Sequence, residues 1–207
     1  MNETEPIVFV VDDDQLFRNS TVRVIRTAGL NVQPFTSASD FLKSPRPEGP
    51  ACLVLDVRMP GLSGMDLQSE LTRLGIRLPI IFMTGYGDIP MSVRAMKAGA
   101  SEFLTKPFRS RALLDAVRSA IERDRSALQK QLEIRELSER RKRLTPRERQ
   151  VMALVVTGLL NKQIASELST KEATVKFHRA HIMKKMKAKS LADLIRMAEK
   201  LGAASPR

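Results

Sequence analysis

Two apolar runs, Ile7-Val8-Phe9-Val10-Val11 and Cys52-Leu53-Val54-Leu55, each end in acid: Asp12 and Asp13 follow the first, Asp56 the second. Runs this short, rich in β-branched residues and without polar alternation, suit strands buried on both faces of a parallel sheet. Laid side by side, the two strands would bring three anionic groups to one sheet edge. Like charges that close repel strongly unless something cationic sits among them. A hard divalent cation with oxygen ligands meets that need, and Mg²⁺ commonly combines a few carboxylates with water and phosphate oxygens.

The rest of the first half alternates strands with helices. Phe17, Val24 and Ala28 share one helical face, and Gly29 stands where a left-handed cap would end that helix. Further strands are predicted at Asn31 to Phe35, Ala51 to Leu55, Pro79 to Met83 and Ser101 to Thr105. Between them, Leu67, Leu71 and Leu74 closed by Gly75, then Met91, Ala95 and Ala98 closed by Gly99, mark two more helices. The pattern predicts an α/β fold, a doubly wound five-stranded parallel sheet. In such a sheet ligands sit beyond the carboxyl ends of the strands at the topological switch point. Asp12, Asp13, Asp56, Thr84 and Lys106 all fall there.

The chain has 207 residues, 43% of them hydrophobic, enough to bury a core in one or two domains. No stretch approaches the roughly 18 apolar residues of a membrane helix. The opening Met-Asn-Glu-Thr-Glu-Pro has neither the basic nor the apolar region of a signal peptide, so a cytoplasmic location without membrane partners is expected. Cys52 is alone, which excludes an intramolecular disulfide and a multi-thiolate zinc site, and its apolar strand makes it a core thiol. The net charge of +12 is unevenly divided: residues 1 to 122 hold 14 Lys+Arg against 14 Asp+Glu, and residues 123 to 207 hold 21 against 9. A basic half of this kind is an electrostatic footprint for a phosphate polymer.

From Arg109 to Arg143 there is neither Gly nor Pro. Leu114, Val117, Ile121 and Leu128 keep helical spacing, whereas Asp124 and Gln131 interrupt the seam, so a helical linker rather than a long coiled coil is expected. Beyond it, Thr145, Pro146 and Glu148 form a capping-box start, and Val151, Leu154 and Val155 line the helix until Gly158. Asn161 opens a second helix with Ile164, Ala165 and Leu168 turned inward. Ser169, with Glu172 three residues on, is read as the cap of a third. On that helix Val175, Ile182 and Met186 form the buried face, opposite Ala173, Lys176, Phe177, Ala180 and Lys184. Short capped helices with a basic outward face make a helix-turn-helix suited to a major groove.

Residues 7 to 122 resemble the receiver domain of bacterial two-component response regulators. The resemblance rests on Val-Asp-Asp-Asp at 11 to 14, Leu-Asp-Val-Arg-Met-Pro-Gly at 55 to 61, Met-Thr-Gly at 83 to 85 and Lys-Pro-Phe at 106 to 108. The stretch from Gly87 to Gly99 is similar to regulators of the FixJ type. Residues 144 to 202 resemble the LuxR-type helix-turn-helix through Leu-Thr-Pro-Arg-Glu-Arg at 144 to 149, Gly-Leu-Leu-Asn-Lys-Gln-Ile-Ala at 158 to 165, Ala-Thr-Val-Lys at 173 to 176, and His178 before Ile-Met-Lys-Lys-Met at 182 to 186.

The resemblance implies three segments: a receiver at 1–122, a helical linker at 123–143 and a DNA-binding domain at 144–207. It implies that Asp56 accepts a phosphoryl group from a sensor histidine kinase. Asp12, Asp13, Asp56 and the main-chain carbonyl of Arg58 would hold Mg²⁺ or Mn²⁺. Thr84 and Lys106 would contact the phosphoryl group, with Thr84 and Phe103 acting as the switch and Arg58 and Tyr86 flanking the site. A cis peptide is expected before Pro107. Lys176, Phe177 and Ala180 would face base edges of promoter DNA, while Lys162, Thr174, Arg179 and Lys184 would face phosphates. Phosphorylation would favour a homodimer that activates transcription, with RNA polymerase as a further partner. On this reading the chain is no turnover enzyme. A phosphatase or kinase would need a second catalytic acid and a substrate cavity, neither of which has a motif here. The alternative is a constitutive DNA-binding regulator whose receiver no longer takes phosphate.

Overall fold

The computed structural model describes residues 5–45, 47, 49–85, 95–97 and 99–202. Tyr86 and most of the helix expected around Met91 and Ala98 lie outside the described residues; residues 95–97 are helical. The chain divides into two compact units, Met1–Leu128 and Gln129–Arg207. Among the described residues no helix is long and apolar enough to cross a membrane.

The first unit runs β1 (Ile7–Val11), α1 (Gln15–Thr27), β2 (Asn31–Phe35), α2 (Ala38–Lys43), β3 (Ala51–Asp56), α3 (Gly64–Arg73), β4 (Ile80–Thr84) and β5 (Glu102–Thr105). It ends in the first part of α4 (Ser110–Lys142), whose remainder belongs to the second unit. The five strands are parallel in the order β2-β1-β3-β4-β5. β1 pairs directly with β3, Val11 opposite Leu55, so the two acidic strand ends are neighbours at the switch point. β4 starts one residue later than the sequence suggests: Pro79 has no N–H to give, although its carbonyl accepts from Leu53. Pro34 lies within β2, where the edge position makes a missing donor tolerable.

Apolar residues cover both faces of the sheet, which is why the inner strands β1, β3 and β4 carry no polar alternation. Phe9, Leu53, Leu55 and Phe82 pack on one side with Leu67 and Leu71 of α3; Val8, Val10, Cys52, Val54 and Ile81 pack on the other with Val22, Ile25, Leu113 and Val117. Two helix faces differ from expectation. The buried stripe of α1 is Arg18, Thr21, Val22 and Ile25, while Phe17, Val24 and Ala28 lie at its margin. Leu74 caps α3 and is half exposed, because the helix ends there before completing another inward turn.

Asp124, read from sequence as a break in the α4 seam, is buried and continues the docked face. Its carboxylate accepts the main-chain N–H of Ala51 at 2.8 Å, tying the helix to the start of β3. Burial raises the Asp124 pKa, against the Ala51 hydrogen bond. Burial, with Asp124 adding, pushes the neighbouring Cys52 thiol up to about 12, so this thiol is packing rather than nucleophile.

The second unit comprises the end of α4 with α5 (Pro146–Val156), α6 (Asn161–Glu167), α7 (Glu172–Met186) and α8 (Leu191–Lys200). Val151, Val155, Ile164, Val175, Ile182, Met186, Leu194 and Ala198 form its core. α5 begins as the sequence requires: Thr145 and Glu148 exchange cap hydrogen bonds and Pro146 occupies the first turn. α7 does not. Ser169 is left-handed (φ 49°) inside the turn, and the cap position is Lys171, which has no side-chain cap bond. The tight turn requires a left-handed residue there, which displaces the capping geometry that Ser169 and Glu172 suggest. At the far end of α7, Arg140 of α4 donates to the carbonyl of Met186 at 3.1 Å.

Glu148 does more than cap. It is 2% exposed, and Lys185 of α7 donates to both its oxygens at 2.9 and 2.6 Å. Burial acts to raise its pKa, but the Lys185 and Thr145 hydrogen bonds and the Lys185 charge outweigh it, leaving the carboxyl below the ordinary glutamate range.

Gly64 donates to the Val57 carbonyl at 3.0 Å, and a Cβ there would collide with the main-chain oxygen of Asp56. Gly64→Ala is expected to destabilise the first unit by about 2 kcal/mol; an unchanged urea-unfolding midpoint would contradict the clash. A depressed folded pKa contributes stability above the unfolded value and loses it as pH falls through the folded value. Glu148→Gln should therefore weaken hydrogen-exchange protection of α7 at pH 7, with the gap from wild type closing as pH falls below the ordinary glutamate range. A gap constant with pH would rule out the ionised pair as its source.

Candidate functional site

The acidic pocket is built from main-chain geometry. Asp12 and Asp13 leave the end of β1, and Asp56 is the last residue of β3. One carboxylate oxygen from each lies within 4.8 Å of the others. Asp12 is fully buried, Asp56 is 8% exposed and Asp13 is exposed. The Asp14 N–H donates to Asp12 Oδ1 at 2.9 Å. Arg18 Nη1 donates to the main-chain carbonyls of Asp12 at 2.6 Å and Asp13 at 3.2 Å, holding the turn that aims both side chains.

Among the described residues, Lys106 brings an ammonium into this cleft. Its Nζ lies 2.7 Å from Asp12 Oδ2 and 3.4 Å from Asp56 Oδ2. Its own N–H donates to the Thr84 carbonyl at 2.6 Å, so the end of β4 positions it. The Lys106–Pro107 peptide is cis, as expected. At an effective dielectric constant of about 20, two unit charges 5 Å apart repel by roughly 3 kcal/mol. One ammonium cannot answer three carboxylates. Burial raises the pKa of both Asp12 and Asp56; Lys106 opposes this in each, and a neighbouring carboxylate adds to it, Asp13 at Asp12 and Asp12 at Asp56. All three donors are hard oxygens, a set that fits a hard divalent cation and offers nothing to a soft one.

The other expected residues of this site are also near the strand ends. Thr84 closes β4 and is 1% exposed. Arg58 is exposed just beyond β3, its N–H donating to the Asp56 carboxylate. Phe103 on β5 is half-buried, its ring 6.4 Å from that of Phe82. Arg18 and Phe17 were missed in the sequence: each reads there as an ordinary residue of an amphipathic helix. Phe17 has its ring 4.1 Å from Lys106 Nζ.

In the second unit, α7 exposes Ala173, Lys176, Phe177, Ala180 and Lys184 along its outward face, while Thr174 is half-buried. Lys162 is exposed on α6. Arg179 Nη1 donates to Asn161 Oδ1 at 2.8 Å, bridging α7 to α6. Lys176 pairs with Glu172 at 3.2 Å. Phe177 is 58% exposed, its ring 4.2 Å from the His181 ring.

Comparison with known proteins agrees with both halves. Residues 8–118 match the response regulator receiver domain, and residues 142–198 match the bacterial regulatory proteins of the luxR family. The chain is 57% identical over 199 residues to nodulation protein W of Bradyrhizobium diazoefficiens, covering 96% of this chain and 88% of that one. It is 44% identical over 204 residues to the transcriptional regulatory protein FixJ of Azorhizobium caulinodans, covering 99% and 96%. Among solved structures, the response regulator StyR superimposes with a TM-score of 0.84 at 49% identity, covering 95% of this chain and all of that one. The chain belongs to the two-component response regulators of the FixJ type, pairing a receiver with a LuxR-type DNA-binding module.

Proposed function

We propose that Asp56 accepts a phosphoryl group from the phosphohistidine of a sensor histidine kinase, and that this switches promoter binding by the second unit. The observation that carries the reading is the meeting of three carboxylates with Lys106 at the β1–β3 switch point. A carboxylate oxygen of Asp56 bonds to phosphorus as the phosphorus–nitrogen bond of the donor breaks, and the leaving imidazole keeps the electron pair and takes a proton. Asp12, Asp13, Asp56 and the Arg58 carbonyl would hold Mg²⁺ or Mn²⁺, which supplies charge neutralisation of the phosphoryl oxygens when bound. Lys106 adds a point charge on the same oxygens, and Thr84 a hydroxyl. The chemistry ends at the acyl phosphate and its hydrolysis, so the chain is a phosphoryl acceptor rather than a turnover enzyme.

Thr84 and Phe103 form the switch, Phe103 responding by packing alone because it carries no hydroxyl. In this reading residues 1–122 are the receiver, 123–143 a helical linker and 144–207 the DNA-binding domain. Lys176, Phe177 and Ala180 face base edges, and Lys162, Thr174, Arg179 and Lys184 face phosphates. A dimer is favoured on phosphorylation because one recognition helix reads few bases and two half-sites multiply discrimination. The dimer activates transcription in the cytoplasm through contact with RNA polymerase. The alternative, a constitutive regulator with a silent receiver, is disfavoured by the complete acidic pocket.

Acetyl phosphate with Mg²⁺ should add one phosphoryl group to the wild-type chain by intact mass and tighten promoter binding at least tenfold. Asp56→Asn should abolish both effects. Tightening that survives in Asp56→Asn would favour the constitutive alternative.

A further inference from the structure

Phe17 belongs to none of the motifs that mark the acidic pocket, yet it touches one of their members. Asp14 caps α1, its carboxylate accepting the N–H groups of Leu16 at 2.8 Å and Phe17 at 3.1 Å, and so fixes the helix's first turn. From that turn the Phe17 ring meets Lys106, with Nζ 4.1 Å from the ring centroid. Phe108 packs edge-on against Phe17, centroids 5.4 Å apart and planes at 87°. A cation over an aromatic face is attracted by the ring quadrupole, and more strongly where water is excluded. The Lys106 side chain is only 15% exposed.

The other partners of this ammonium are Asp12 and Asp56, both charged and both assigned to the chemistry. Their hold on Lys106 changes once Asp56 becomes an acyl phosphate and loses its free carboxylate. The ring's hold does not, because it is uncharged and neither binds a metal nor accepts phosphate. A carboxylate in its place would compete with the phosphoryl oxygens for the same positive charge. We propose that Phe17 is a positioning residue for Lys106: its ring, braced by Phe108, keeps the ammonium in the cleft throughout phosphoryl transfer. This rests on the reading of Asp56 as acceptor. The cation then meets the developing charge already placed, which is where preorganisation acts on rate.

Phe17 also packs at the edge of the core, so a plain loss on truncation would not separate the two roles. The test uses Phe17→Leu, which keeps apolar bulk but removes the ring, and Phe17→Tyr, which keeps the ring. Both are placed in the full chain with Lys106 and with Lys106→Ala. The rate of Asp56 labelling by acetyl phosphate and Mg²⁺ is followed by intact mass. Phe17→Leu should label about three- to tenfold more slowly, the scale of one shielded cation–π contact, with Phe17→Tyr within about twofold of wild type. In the Lys106→Ala background, Phe17→Leu should add no further loss. Equal rates for wild type and Phe17→Leu, or the same loss with and without Lys106, would overturn the proposal and leave the acceptor reading intact. A wild-type chain that takes no label on Asp56 would overturn both.

Discussion

Crowding of negative charge at the β1–β3 edge is the constraint that orders the first unit. Three carboxylate oxygens within 4.8 Å of one another repel, and the fold holds them there by main-chain means. Arg18 grips the carbonyls of the turn rather than the carboxylates, and the Asp14 N–H takes one oxygen of Asp12. A guanidinium placed directly among the acids would relieve the repulsion and with it remove the affinity for a metal and a phosphoryl group. Lys106 supplies one positive charge to this cleft. The raised pKa values of Asp12 and Asp56 come first from burial of the carboxylates and only then from their repulsion, a local cost in stability that a binding site can require.

The parts of this unit legible in sequence were those governed by burial. Strands covered on both faces lose polar alternation, so β1, β3 and β4 stood out as apolar runs, and the acids ending two of them marked the carboxyl edge. Adjacency of β1 and β3 has no local signature, because pairing joins residues more than forty positions apart, such as Val11 and Leu55. Only the observed register establishes it. Helix faces were read less well. A face drawn through Phe17, Val24 and Ala28 misses the buried stripe by part of a turn, since Thr21 and Arg18 are buried despite being polar. Asp124 is a further case: a carboxylate docked on a strand-end N–H looks in sequence like an exposed charge.

In the second unit the apolar period of α7 disclosed its inward residues, all of them fully buried. What fixes the helix in place was hidden. Lys185 reaches Glu148 across 37 positions and Arg140 reaches Met186 across 46, pairings that no window of sequence can display. Glu148 was visible only in its capping role. Ser169 shows the opposite failure, where a correct local signature for a cap yields to a turn that demands a left-handed residue.

These anchors change how the basic charge of the second half is to be understood. Arg140, Arg147 and Lys185 spend hydrogen bonds inside the unit, on the Met186 carbonyl, the Leu168 carbonyl and Glu148. Arg179 is similarly tied to Asn161. Lys185, committed to the buried Glu148 carboxylate, gains little by meeting a phosphate, because leaving its partner exposes an unpaired charge. Net charge therefore overstates the electrostatic reach of this module. On the proposed reading, long-range attraction to DNA falls to exposed lysines such as Lys162 and Lys184, whereas the tethered arginines set the pose in which the α7 surface is presented.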